Sequence, residues 1–290
     1  MQNHFVNSSQ FKHKISIDMK KHIYALFVFA LVLASCSNPL PADTKVQNQQ
    51  NDYLIMSTLW YQRASECRAL YYQAYNFAKQ SLVANLAESK NNKPKAVVVD
   101  IDETVLDNSP FEAYSIRTGK AFSKELWNEW TSKAAARPTP GSLEFLKFAE
   151  SKGVETFYIS NRSVAETAVT LQNLKALGFP FADEAHMLLK TDTSVKTVRR
   201  NKVTETHEIL ILAGDNIGDF DELFEDRSTE YGFDSVDAHK ADFGKRFIIL
   251  PNPMYGSWER EAFKGQKGLT PEQKNELRKA ALIGYKELAN

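Results

Sequence analysis

The sequence predicts an α/β fold: a parallel sheet with helices on both faces, joined to a smaller helical unit. Three observations predict it. Apolar runs rich in Val, Ile and Leu recur at "AVVVDID" (96–102), "VETFYISN" (154–161), "EILILAGDN" (208–216) and "RFIILPNP" (246–253), each ending in polar or turn-forming residues. Helical stretches separate these runs, the alternation expected of parallel strands buried on both faces. A long segment free of Gly and Pro precedes the first strand, and a well-capped helix follows the last.

The chain opens with residues unlike the rest. From Met19, "MKKHIYALFVFALVLASC" has two lysines, an apolar stretch and small residues before Cys36, the layout of a secretory signal. Its end resembles a bacterial lipobox, so 1–36 are expected to be a signal peptide with translation starting at Met19 and lipid on Cys36. The polar, proline-bearing residues 37–52 read as a tether. Residues 53–92 read as one long helix or two in succession, with Ile55, Leu59, Leu70, Ala74, Phe77, Leu82 and Leu86 at helical spacing. Its tyrosines, Tyr61, Tyr71, Tyr72 and Tyr75, are expected to pack rather than to act.

The sheet is expected within 93–268. Between its first two strands, residues 103–153 exceed what one crossover needs, so "FSKELWNEWTSKAAARPTPG" is expected to form a helical insertion near the strand ends. "GSLEFLKFAESKG" and "SVAETAVTLQNLKALG" read as helices, the second stopped by Gly178. Residues 269–290 begin with Thr270 as N-cap, Pro271 at the first helical position and Gln273 at the third, a capping-box pattern. This terminal helix is expected to pack on the N-terminal one.

Composition narrows the chemistry. Lys plus Arg equals Asp plus Glu, 36 each, so the overall basic charge of a nucleic-acid-polymer binder is missing. Only two cysteines occur, Cys36 and Cys67, and no four-residue Cys/His cluster suits zinc. A metal here must be held by oxygen. His186, His207 and His239 have no sequence partner that suggests a site.

Ligands bind at the carboxyl ends of strands in parallel sheets, so the polar endings converge on one crevice. There Asp100 and Asp102 lean the same way, two residues apart. One carboxylate can attack while the other supplies a proton. Ser160 and Asn161 end the second strand, Asp215 and Asp219 follow the third, and "KTDTSVKTVRR" supplies Lys190 and Lys196. Several carboxylates, a hydroxyl and a lysine around one crevice suit Mg²⁺ with a substrate phosphate. A divalent cation would let the neighbouring acids tolerate one another.

"DIDET" after an apolar strand, "ISNR", a downstream lysine and "GDNIGD", in that order, resemble the four motifs of the haloacid dehalogenase superfamily of phosphatases. With "PNPMYGSWE" (251–259) and the helix "LWYQRASECRALYYQAYNFAK", the chain from about residue 52 onward is similar to the class C acid phosphatases, bacterial lipoproteins that act as 5′-nucleotidases. The resemblance implies a Rossmann-like core and assigns roles. Asp100 is the nucleophile that forms an aspartyl-phosphate. Asp102 is the acid and then the base, and its backbone carbonyl ligates the metal. Asp100, Asp102, Asp215 and Asp219 make up the metal group, Asp219 by orienting a metal-bound water. Ser160, Asn161 and Lys196 hold the phosphate. Lys196 is preferred over Lys190 because it follows Ser194, where a helix should begin.

In similar enzymes aromatic side chains sandwich a nucleobase or nicotinamide ring, and Trp127 and Tyr255 match those positions. The expected protein is a Mg²⁺-dependent phosphomonoesterase in the bacterial envelope, lipid-anchored at the outer membrane, acting on a small phosphomonoester such as a nucleotide. A homodimer is expected from the family. The alternatives are a phosphotransferase using the same intermediate, and a non-catalytic surface lipoprotein that captures a ligand such as haem.

Overall fold

The structure is a computed structural model that describes residues 49–287. The signal segment, Cys36 and most of the tether lie outside the described residues. The last tether residues already belong to the fold: Asn51 is buried, its amide donating to the carbonyls of Ser115 (3.1 Å) and Lys120 (2.7 Å).

A 3-10 turn (Gln49–Leu54) leads into helices α1 (Ile55–Arg63) and α2 (Ser65–Glu88), and then into strand β1 (Lys95–Val99). The insertion holds a short antiparallel strand pair, β2 (Leu106–Asp107) with β3 (Arg137–Pro138), and between them helices α3 (Ser109–Thr118) and α4 (Lys124–Thr131). After it come α5 (Ser142–Ser151), β4 (Val154–Ser163), α6 (Thr167–Leu177), β5 (Met187–Lys190), α7 (Thr197–Thr206) and β6 (Glu208–Gly214). The chain closes with α8 (Phe233–Ala238), β7 (Phe247–Ile249), α9 (Ser257–Ala262) and α10 (Pro271–Ala280).

The main sheet has the order β5-β4-β1-β6-β7, and every pairing in it is parallel. From β1 the chain steps outward to β4 and β5, then returns to the other side of β1 as β6 and β7. That reversal opens a crevice at the carboxyl ends of β1 and β6. The fold is therefore Rossmann-like, as expected, with one strand more than the apolar runs disclosed. Only four residues long, β5 was hidden inside "HMLLKTD".

Both faces of β1 are buried. Val97 and Val99 join the core that contains Tyr71, Tyr75 and Leu82 of α2, while Ala96 and Val98 join the one with Val203, Phe220 and Phe224. This period of two is the pleat of a strand sandwiched between layers.

The N-terminal segment is two helices broken at Ala64, and its buried stripe differs from the aliphatic spacing. Leu59, Leu70 and Phe77 are exposed, whereas Cys67, Tyr71, Tyr75, Ala78 and Leu82 face inward. The tyrosines win because their hydroxyls satisfy buried carbonyls that Leu would leave unpaired. Tyr71 donates to the Glu103 carbonyl (2.5 Å) and Tyr75 to the Thr104 carbonyl (2.8 Å). Thus α2 braces the loop that follows β1. Cys67 is buried and free. Gly178 stops α6 with φ 77°, and the Thr270–Gln273 capping box opens α10. Arg278 of α10 lies 3.7 Å from the Tyr53 ring and 2.7 Å from Glu259.

At the opposite end of the sheet, His186 places Nδ1 2.8 Å from Asp183 and Nε2 3.0 Å from Glu155, whose same oxygen lies 3.2 Å from His207. Burial alone would lower the His186 pKa, but the two carboxylates outweigh it and raise it. A raised imidazole pKa contributes stability at low pH, lost as pH rises through the folded value. Replacing His186 with Gln should therefore cost about 1 kcal/mol at pH 5.5 and less at pH 8.5, after allowing for solvent screening. Thermal melts of both proteins at the two pH values would test this; an equal deficit at both would refute it.

Candidate active site

Strand β1 ends in the buried Val99, and its continuation delivers three acids to different places. Asp100 is buried at the carboxyl end. Asp102 turns toward β4. Glu103, in the left-handed region at φ 57°, folds back into the protein, fully buried. There its carboxyl accepts from the Asn108 backbone N–H (2.7 Å) and from the Tyr255 hydroxyl. Burial and the neighbouring acids push its pKa well above the ordinary value. Glu103 is therefore structural rather than part of the crevice.

Asp100, Asp215 and Asp219 form one group: each offers a carboxylate oxygen within 4.8 Å of the other two. Among the described residues this is the only such acidic or Cys/His group. Lys196, at the start of α7 and 4% exposed, bonds Asp100 and lies 2.7 Å from Asp219. Lys190 sits at the end of β5 and makes neither contact. Burial would lower the Lys196 pKa, but the two carboxylates prevail and push it up to about 12. Burial raises Asp100 to about 7 against the pull of Lys196, with Asp219 and Asp102 adding to the rise. Asp215 is pushed well above its ordinary value by burial, Asp219 and Asp100. One lysine thus leaves the acids under-compensated. A set of hard oxygen donors in that condition fits a divalent cation such as Mg²⁺.

The carboxylate of Asp102 faces the β4 side. Arg162 reaches Asp102 Oδ1 through Nη2 (2.7 Å) and Nε (2.9 Å), Asn108 donates to the same oxygen (2.8 Å), and Ser160 Oγ lies 3.3 Å from Oδ2. Asn108 is itself held by the Trp130 indole N–H (2.8 Å). Arg162 is the last residue of "ISNR", to which the sequence assigns no role, and the sequence does not single out Asn108 or Trp130. Nothing in "ISNR" or "LDNSP" shows that they meet, because fold-level pairing brings them together. The expected metal contact of Asp102 is its backbone carbonyl, which these bonds to the side chain do not engage. Ser160 is fully buried, and Asn161, exposed at the rim, accepts from Arg199 (2.8 Å). Arg199 also donates to the Ser160 carbonyl (2.6 Å), and Arg200 donates to the carbonyls of Gly218 (3.0 Å) and Asp219 (3.2 Å). Helix α7 therefore clamps the end of β4 and the loop after β6 with the successive arginines that close "KTDTSVKTVRR".

Trp127 of α4 is partly buried. Its indole N–H donates to Glu166 (3.0 Å), Phe111 meets it edge-on at 5.2 Å, and the Arg162 guanidinium lies 5.7 Å from its ring. Tyr255 is also partly buried and is anchored by Glu103. Both rings are fixed at their polar ends.

Gly214 ends β6 beside Asp219. A Cβ there would lie 2.2 Å from Asp219 Oδ2, an oxygen that accepts from the Asn216 backbone N–H at 3.0 Å. Gly214→Ala should displace Asp219, lower stability by about 1–3 kcal/mol and loosen metal binding. Thermal unfolding with a metal titration would check this; a variant matching wild type in both would contradict the packing argument.

The profile of the HAD superfamily, subfamily IIIB (acid phosphatase), matches residues 13–258. Among solved structures, the class C acid phosphatase from Bacillus anthracis is 41% identical with a TM-score of 0.78, over 82% of this chain and 99% of that one. A second structure of that enzyme, with tungstate bound, is 41% identical with a TM-score of 0.76, over 81% and 98% of the two chains. The stem 31 kDa glycoprotein of Glycine max is 27% identical over 164 residues, 54% of this chain. That match spans 58% of the glycoprotein's own length.

Proposed function

The chain belongs to the acid phosphatases of HAD superfamily subfamily IIIB, and on that premise we propose that it is a Mg²⁺-dependent phosphomonoesterase that works through an aspartyl-phosphate on Asp100. Its proposed substrates are 5′-nucleotides, meaning nucleoside monophosphates or nicotinamide mononucleotide. The observation that carries this reading is the group of Asp100, Asp215 and Asp219 around Lys196 at the reversal of a parallel sheet. Tungstate in the related Bacillus anthracis structure supports it, because tungstate is a tetrahedral oxyanion like phosphate.

Asp100, Asp215 and the Asp102 carbonyl would hold Mg²⁺, with Asp219 supporting a bound water, and the cation would offset charge on the phosphoryl oxygens. Lys196, Ser160 and Asn161 would bind those oxygens from the protein side. An Asp100 oxygen attacks phosphorus as the bond from phosphorus to the ester oxygen breaks. Asp102 gives its proton to the departing oxygen, which leaves as an alcohol. Water then attacks phosphorus, Asp102 takes a proton from it, and the bond from Asp100 to phosphorus breaks, releasing phosphate. Arg162 and Asn108 keep the Asp102 carboxylate in place for both transfers. Trp127 and Tyr255 would stack on the base or nicotinamide ring, a contact tolerant of ring identity. Lipid on Cys36 would hold the enzyme at the bacterial envelope, where nucleotides can be converted to nucleosides.

The test is phosphate release from AMP and nicotinamide mononucleotide by the full-length protein, with Mg²⁺ and with EDTA. Release that EDTA abolishes and Mg²⁺ restores is the expected result. Release from an aryl phosphate but from neither nucleotide would remove the substrate assignment, and release indifferent to EDTA would remove the metal.

A further inference from the structure

Lys196 bonds two of the three grouped carboxylates, Asp100 and Asp219. The third, Asp215, is held by neutral donors instead. Asn252 Nδ2 donates to Asp215 Oδ2 at 2.8 Å, and the Thr104 hydroxyl lies 3.5 Å from the other oxygen. A neutral amide donor fixes the plane of a carboxylate without cancelling its charge. A lysine or arginine there would compete with a cation for the same electrons.

Asn252 is engaged at both ends of its amide. Its Oδ1 accepts from the backbone N–H of Met254 (3.0 Å) and of Tyr255 (3.4 Å). The loop it organises is tied to the β6 end twice more. Leu250 N–H donates to the Gly214 carbonyl (2.9 Å), and Ser257 Oγ donates to Asn216 Oδ1 (2.8 Å). Arg227, 7% exposed, donates to that same Asn216 oxygen at 2.5 Å. The loop after β7 is thus held in fixed register over the loop after β6, and Asn252 is the side chain within it that reaches an acid of the group.

We infer that Asn252 is a positioning residue for the divalent cation: it orients Asp215 for metal binding and couples that setting to the loop that carries Tyr255. The inference deepens the metal-dependent reading above and rests on it. Partners that orient metal ligands characteristically change metal affinity by about 10–100-fold when removed. Asn252 has the geometry of such a partner, and its second attachment explains why an amide rather than a hydroxyl occupies the position. A serine at 252 can still accept from the N–H two residues on, as in an ST-turn, but is too short to reach Asp215.

The experiment titrates Mn²⁺ into full-length wild type, Asn252→Ser and Asn252→Ala, following the loss of the free-ion signal by electron paramagnetic resonance. Asn252→Ser is expected to bind Mn²⁺ about 10–100-fold more weakly, with a melting temperature within about 3 °C of wild type. Its Mg²⁺ requirement for phosphate release should rise by a similar factor, with kcat recovering as Mg²⁺ is raised. Asn252→Ala should share the metal defect and also raise KM for AMP, because the Tyr255 loop loses its acceptor. Wild-type affinity in both variants would overturn the inference while leaving the metal reading intact. A wild-type protein that takes up no Mn²⁺ would overturn the metal reading, and the inference with it.

Discussion

Asp100→Asn should lower kcat for phosphate release by about 10⁴-fold or more, equivalent to about 5.5 kcal/mol of transition-state stabilisation. An amide keeps the shape of the side chain but is a far poorer nucleophile toward phosphorus, so no aspartyl-phosphate should form. The loss should not come from misfolding, and pH provides the check. The Asp100 carboxyl is raised to about 7 by burial, with Lys196 opposing the rise. A raised carboxyl pKa means the folded state holds a proton that the unfolded state has released. Its contribution to stability is complete below the ordinary value, near 4, and is lost as pH rises toward about 7. Asparagine carries no such titration. The metal-free variant should therefore melt no lower than wild type at pH 7, and should gain on it between pH 5 and pH 7. Phosphate release and thermal melts on the same preparations measure both effects. Residual turnover within tenfold of wild type would show that another group is the nucleophile.

Much of this site was legible in the sequence because its parts lie at strand ends. An apolar run that stops at Asp100, and another that stops at Asp215, place two carboxylates in one crevice once the sheet is parallel. Lys196 was within reach because α7 starts beside it. The sequence showed less where an element is short or where partners are remote in the chain. Four residues of β5 leave no periodicity to detect. The buried face of α2 was legible in part: Tyr71 and Tyr75 pack as expected, their hydroxyls meeting buried carbonyls at Glu103 and Thr104, whereas Leu70 and Phe77, which the aliphatic spacing also marks, are exposed. Arg162 with Asp102, and Asn252 with Asp215, are separated by 60 and 37 positions, and no local pattern foretells either pair. "DIDET" likewise conceals a division of labour. Asp100 joins the acidic group, Asp102 turns to Arg162 and Asn108, and Glu103 holds Asn108 and Tyr255.

Lys196→Met should disrupt the fold as well as catalysis. Methionine matches the lysine stem in length and leaves no large cavity, so the change isolates the charge. Lys196 is the cation in contact with Asp100 and Asp219, and its pKa near 12 keeps it charged throughout the physiological range. Removing it leaves buried carboxylates facing one another, which costs about 3–5 kcal/mol. For a domain of this size that corresponds to a fall in melting temperature of roughly 6–20 °C. The sign of the pH dependence follows from the raised pKa values of Asp100 and Asp215. Both carboxyls neutralise as pH falls, so the deficit should be smaller at pH 5 than at pH 8. Mg²⁺ should recover part of it by supplying a replacement cation, whereas activity should stay at least about 10²-fold down if Lys196 is the donor to the phosphoryl oxygens, as proposed. Lys190→Met, at a position that touches none of these acids, should shift stability by no more than about 0.5 kcal/mol. Melting curves at the two pH values, with and without Mg²⁺, separate the two lysines. An inactive Lys190 variant beside an active Lys196 variant would reverse the assignment.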